Sequence, residues 1–241
     1  SDGGLLLHRE LDDALGLTDL ATDLLVDHRT GKNGRHTFVG LLRQSIFSRL
    51  AGYEDVNDAD RLCRDPVMRQ LVGGRAVKRG AASASAMGRF ETATLTQAEN
   101  LAALADLSGH WIDAVHAKRP SKVIGLDMDS SESPVYGDQE GAIWNGHFQS
   151  KCLHPLFVFN QFGDLERCVL RPGNVHSADG WKELLSPVLA RYSAKARHSI
   201  IRRRFRGDAA FAIPGLFDLL EAEGWDLSLI HISEPTRRTP I

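Results

Sequence analysis

Apolar residues recur at helical spacing along the first part of the chain. Leu11, Leu15, Leu17, Leu20, Leu24 and Leu25 fall at three- and four-residue spacings, as one apolar helical face requires. Val39, Leu42, Ile46 and Leu50 repeat the pattern within His36–Leu50. Asp65-Pro66 predicts a helix start, because aspartate caps the free amides of a first turn and proline has no amide to leave unpaired there. Residues 73–88 are rich in Gly, Ala and Ser and interrupt the periodicity. A further helix is predicted from about Thr96 to Lys118, so residues 1–119 read as an all-helical region.

The texture changes at Lys122. Val123–Asp129 is a short run of strand type. Ser130–Gly146 is polar and carries Gly137, Gly141 and Gly146, which predicts a loop or an irregular hairpin. Pro155–Asn160 and Leu165–Leu170 read as strands joined by the turn Gln161–Asp164. Ser177–Tyr192 reads as a helix with Trp181, Leu184, Leu185, Val188 and Leu189 on one face. Ser199–Phe205 reads as a strand and Pro214–Glu223 as a helix. Three strands followed by helix, strand and helix predict an α/β fold, a mixed sheet flanked by helices.

With 241 residues, 42% of them hydrophobic, the chain can bury one large core or two small ones. Its 22 glycines, 9 prolines and 25% charged residues exclude collagen-like, coiled-coil and wholly disordered chains. No apolar run approaches the roughly 18 residues of a membrane span, and no secretion signal is visible. Cys63, Cys152 and Cys168 are odd in number and far apart. They offer neither a disulfide framework nor zinc spacing and fit a reducing compartment, so the expected location is the cytoplasm.

Net charge is only −2, but its distribution is uneven. Residues 1–30 hold seven acidic groups. Seven basic groups and no acid lie between Arg191 and Arg206, including Lys195, Arg197, Arg202, Arg203 and Arg204. A second basic stretch comprises Arg61, Arg64, Arg69, Arg75, Lys78, Arg79 and Arg89. Local basic patches in a neutral chain suit an enzyme that acts on DNA through a carboxylate site, with solvated surface as the competing account.

Asp127 and Asp129 are two apart on a predicted strand and point to one face. Asp208 follows the strand ending at Phe205 and the turn Arg206-Gly207. If the first and fourth strands are neighbours, Asp129 and Asp208 sit side by side. Two such carboxylates repel unless a cation lies between them, and hard oxygen ligands select magnesium or manganese. The competing account is that each aspartate merely caps a local turn.

Six stretches then occur in a telling order: Gly52–Asp58, Ser83–Glu91, Leu126–Ser131, Gly137–Ala142, Leu170–Ser177 and Arg206–Phe211. Through them the chain resembles bacterial insertion-sequence transposases of the DDE type over most of residues 36–226. The resemblance implies an RNase H-like catalytic domain over 120–226, preceded by a helical DNA-binding region over 1–119. It implies metal-dependent cleavage and strand transfer of element ends, with two Mg2+ or Mn2+ ions held by two aspartates and a glutamate. The first aspartate maps to Asp129, with Asp127 as the alternative, and the second to Asp208. Arg202, Arg204, Arg206 and Gln139 are candidate DNA contacts. The implied partners are double-stranded DNA, as terminal inverted repeats and target, and a second copy in a dimer on DNA, with no membrane. A metal-dependent nuclease on the same fold and a non-catalytic protein occupying element ends are the alternatives.

Leu227–Arg237 reads LSLIHISEPTR, which matches one frame of a transposon-based library adapter over eleven consecutive residues. Residues 227–241 are therefore read as a non-native tail and Glu234 is rejected as a ligand. The expectation is a truncated domain whose sheet is incomplete at its C-terminus, with the fifth strand due near Asp226 and the glutamate beyond it, so that the chain as given neither cleaves nor joins element ends for want of the third acid. The apolar run Leu227-Ser228-Leu229-Ile230-His231-Ile232 could imitate that strand.

Overall fold

A computed structural model describes residues 3–30, 34–193 and 199–230. The chain forms two compact units, divided between Val115 and His116. Lys195 and Arg197 of the basic run, and Glu234, lie outside the described residues.

The first unit is helical: α1 (Leu5–Leu15), α2 (Leu17–Leu24), α3 (Phe38–Leu50), α4 (Ala59–Leu62), α5 (Pro66–Val72), α6 (Ala76–Arg79), α7 (Ala84–Arg89) and α8 (Ala98–Lys118), the last running on into the second unit. The leucine-rich helix expected at the start is two helices. Gly16, at φ 74°, ends α1 and opens α2. Buried Asp12 bridges the break by accepting from the Thr18 amide at 2.8 Å and its hydroxyl at 2.6 Å. The Gly/Ala/Ser-rich stretch holds two short helices, α6 and α7, where only an interruption was expected. Gln44 of α3, 1% exposed, exchanges hydrogen bonds with both the amide and the carbonyl of Ala82, each 2.7 Å, and so pins that stretch to α3.

Helix α5 starts where Asp65-Pro66 predicts, and Asp65 Oδ1 accepts from the Met68 amide at 2.9 Å. Asp65→Ala is expected to cost about 1 kcal/mol, read as a fall in the thermal midpoint. Asp65→Asn, which keeps the acceptor, should retain most of it.

The second unit holds β1 (Val123–Ser130), β2 (Ser133–Pro134), β3 (Ile143–Asn145), β4 (Ser150–Leu153), β5 (Leu156–Asn160), β6 (Leu165–Val169), α9 (Trp181–Arg191), β7 (Arg202–Asp208), α10 (Pro214–Ala222) and β8 (Asp226–Ile230). Five strands form one sheet in the order β6-β5-β1-β7-β8. β5 runs antiparallel to β1 and to β6, whereas β7 runs parallel to β1 and to β8. Ile124, Leu126 and Met128 alternate onto one face of β1 and are buried with Phe205 of β7. Leu184, Leu185, Val188 and Leu189 of α9 and Leu216 and Leu220 of α10 complete this core. The central strands thus bury one face under helices, and the polar residues between them point the other way.

Two details differ from the expected elements. β7 begins later and ends later than Ser199–Phe205, because its parallel pairing with β1 continues through Met128↔Gly207. Arg206-Gly207 is therefore strand and not turn. The sheet also has a fifth strand: β8 pairs Asp226 with Arg204 and Leu227 with Phe205, so the edge takes up residues 227–230 of the adapter-like segment.

The polar stretch after β1 is a second, three-stranded sheet in the order β2-β4-β3. Gly173 lies against it so closely that a Cβ there would overlap the carbonyl oxygens of Cys152 and Ile143. Asn145 Nδ2 donates to the Gly173 carbonyl at 2.6 Å. Beside it, buried Arg171 donates to the carbonyls of His154, His176, Ser177 and Asp179. The Leu170–Ser177 motif is thus explained as a staple between the small sheet and the segment leading to α9.

Candidate functional site

Asp129 and Asp208 each lie one residue past the register pair Met128↔Gly207, so they end neighbouring parallel strands. Alternation from buried Met128 and Gly207 puts both on the sheet face that α9 and α10 leave uncovered. Gly207 allows close packing there: a Cβ would lie 3.2 Å from the Cβ and ring of Phe211, a tight contact that Phe211 would have to relieve.

Both carboxyls are held by local backbone. Asp129 Oδ1 accepts from the Ser130 amide at 2.8 Å. Asp208 Oδ1 accepts from the Ala210 amide at 2.9 Å and caps the 3-10 turn Ala209–Phe211. Asp208 thus caps a local turn, and Asp129 lies close enough to it for the two charges to act on each other. Partial burial and the negative charge of Asp208 push the Asp129 pKa above the usual carboxylate value, against the Ser130 hydrogen bond that lowers it. Among the described residues no ion pair relieves either carboxyl, and no group of three or more His, Cys, Asp or Glu side chains gathers.

Asp127 lies on the same face but in a different state. Its carboxylate takes a two-pronged ion pair from Arg206, Nε to Oδ1 and Nη2 to Oδ2, both 2.5 Å, across the register pair Asp127↔Arg206. That hydrogen bond and the facing charge raise the Arg206 pKa. Asp127 is thus already compensated and Asp129 is not. The pair is part-exposed, at 34% and 52%, so Asp127→Ala and Arg206→Ala should couple by only about 0.5 kcal/mol in a double-mutant cycle of urea melts.

The other candidates separate. Arg202 and Arg204 share the aspartates' face, where Arg202 reaches Asp226 at 3.4 Å. Arg203 points the opposite way and donates to the Tyr192 carbonyl at 2.6 Å. Gln139 lies in the loop between β2 and β3, where its carbonyl accepts from Ala142. Sequence reasoning did not single out Phe157 and Phe159. They pair with Asp129 and Asp127 across β1/β5 and stack on each other, 5.8 Å between centroids. Their spacing of two along a strand was the available signal.

The chain belongs to the transposase DDE domain group 1 family, whose model matches residues 1–234. Among solved structures it is similar to the Mos1 transposase paired-end complex with left transposon end, at 15% identity and TM-score 0.28, over 84% of this chain and 61% of that one. It is also similar to the Mos1 strand transfer complex, at 16% identity and TM-score 0.28, over 84% and 60%. The chain therefore spans about three fifths of the length of those transposase chains. No curated protein matches significantly. No described helix is long and apolar enough to cross a membrane.

Proposed function

We propose that this chain is the DNA-acting part of a transposase that cuts and rejoins the ends of an insertion sequence, with Asp129 and Asp208 as its metal-holding carboxylates. The observation that carries the reading is the like-charged pair at the ends of β1 and β7, uncompensated where neighbouring Asp127 is compensated. The donor set fits Mg2+ or Mn2+: hard oxygens, and a mutual repulsion that a dication relieves. A bound pair of ions would stabilise charge on the attacking and leaving oxygens of a phosphodiester.

The chain's own residues hold those ligands in place. The Ser130 and Ala210 amides orient one oxygen of each carboxyl and leave the other outside the hydrogen bond. Arg206 keeps the Asp127 charge from competing. Arg204, with Arg202 beside its contact to Asp226, adds positive charge on the same face for the DNA backbone, and Arg206 and Gln139 are the remaining proposed DNA contacts. Water attacks the phosphorus at the element end and its P–O3′ bond breaks, freeing a 3′-hydroxyl; that hydroxyl then attacks a target phosphorus and displaces the target strand's 3′ oxygen, which takes up the proton. The proposed partners are double-stranded terminal repeats and target DNA, bound by a dimer.

A gel of labelled end DNA, with and without Mg2+ or Mn2+, tests the reading. Metal-dependent cleavage and joined products are expected from a form of the protein that also carries the third acid, and are lost in its Asp129→Ala and Asp208→Ala variants. Cleavage that survives Asp208→Ala would place the active site elsewhere. One observation favours a second reading: only two carboxylates meet at the site among the described residues. In that reading the chain occupies element ends without cutting them, and the same gel shows retarded but intact DNA.

A further inference from the structure

Two of the cavities in the first unit, of about 220 and 430 Å³, share Arg35, His36 and Leu41 in their walls. Arg43 and Arg75 also line the first, and Arg29 and Arg89 the second. Arginine at five positions around two adjoining hollows is a dense concentration of positive charge.

The five arginines are not equivalent. Arg43 is tied to Asp12 at 3.4 Å and Arg29 to Asp27 at 2.7 Å. Among the described residues, Arg35, Arg75 and Arg89 have no carboxylate partner: Arg35 donates to the Arg79 carbonyl and Arg89 to the Ser85 hydroxyl. All three are exposed. Guanidinium groups in that state keep donors free for an anion and match phosphate oxygens two at a time. Burial, then the charges of Arg35 and Arg29, lower the His36 pKa, which marks the positive potential on the shared wall.

The basic stretch noted in the sequence thereby divides. Arg69 is used internally on the carbonyls of Ala76 and Val77, and Arg61 pairs with Asp58 at 3.6 Å. Arg75 and Arg89 face the cavities and are joined there by Arg35, which lies outside that stretch.

We infer that Arg35, Arg75 and Arg89 form a phosphate-binding groove for the backbone of duplex DNA, separate from the carboxylate site. This rests on reading the protein as a DNA transposase. Three charges without a carboxylate partner around adjoining hollows offer free donors to phosphate oxygens of a DNA strand. Contacts of this kind position a duplex without reading its sequence.

Fluorescence anisotropy of a labelled duplex, titrated with the full chain at several salt concentrations, tests the inference. Each lost phosphate contact lowers the slope of log affinity against log salt by about 0.9. The triple variant Arg35→Ala, Arg75→Ala, Arg89→Ala should therefore lose roughly 2.7 of the slope, from three contacts. The triple lysine variant, which keeps the charges, should retain most of it. Lys182→Ala, a charge removed from α9, should shift the slope far less. Inorganic phosphate at matched ionic strength should compete weakly; competition as strong as that of unlabelled duplex would assign the groove to free phosphate and overturn the DNA assignment. A wild-type slope kept by the triple alanine variant would overturn the groove and leave the transposase reading standing. No salt-sensitive binding by wild type to any duplex would overturn both.

Discussion

Wild-type protein is expected to melt at a higher temperature in Mn2+, and Asp208→Asn to lose that gain. A ligand that binds only the folded state stabilises it by about 2.7 kcal/mol at a hundredfold excess over its Kd. In a chain of this size that corresponds to about 2–4 °C for each kcal/mol. Asparagine is the informative replacement because its side-chain oxygen can still cap the Ala210 amide while the charge is removed. Differential scanning fluorimetry with and without Mn2+ reads the effect, and an equal Mn2+ shift in both proteins would remove Asp208 from the metal site.

Without metal the same variant should behave in the opposite sense. The Asp129 pKa is raised in the fold, by burial first and by the Asp208 charge second. A raised carboxyl pKa makes the ionised form a burden, so wild-type stability should increase as pH falls through that pKa toward the ordinary value of 3.8. Asp208→Asn removes the charge contribution and leaves the burial contribution. It should therefore be the more stable protein at neutral pH, with its advantage shrinking on acidification. Urea melts across the acidic range measure this, and an advantage that grew on acidification would contradict it.

Gly173→Ala should be the most damaging single methyl in the second unit. The added carbon would overlap two backbone carbonyl oxygens, of Cys152 and Ile143, which themselves belong to the register pair Ile143↔Cys152. Neither can withdraw without opening the small sheet, so the cost should be about 3 kcal/mol or more. Gly215→Ala is the matched comparison, since its nearest neighbour would be an indole carbon at 3.9 Å, and it should be close to neutral. Equal denaturation midpoints for the two variants would show that Gly173 is not held against β4.

The sequence was legible wherever local chemistry decided the outcome. Asp65-Pro66 starts α5, and the turn between β5 and β6 falls at Gln161–Asp164, because capping and turn residues act on their own neighbours. The pairing of Asp129 with Asp208 was legible only conditionally, since it needs β1 beside β7, and that adjacency is set by burial of residues far apart in the chain. The end of β7 was misplaced for the same reason. Arg206-Gly207 has turn chemistry on its own, and pairing with β1 overrides it. The small sheet reads from sequence only as a loop or an irregular hairpin, because its strands are two to four residues long, too short for alternation to register. The Asp127–Arg206 pair was beyond reach, because nothing local assigns that arginine to one acid over another.

The parallel pairing of β1 with β7 also sets when the site can come into being. Asp127 and Arg206, which face each other across it, are 79 residues apart in sequence. The hairpin of β5 and β6 closes over a short turn and can form early, whereas joining β1 to β7 must overcome the entropy of closing a long loop. Asp129 and Asp208 come together only when that pairing forms. A partly folded chain that has closed only its hairpin still holds the two proposed metal ligands apart, so the proposed site exists only in the folded domain.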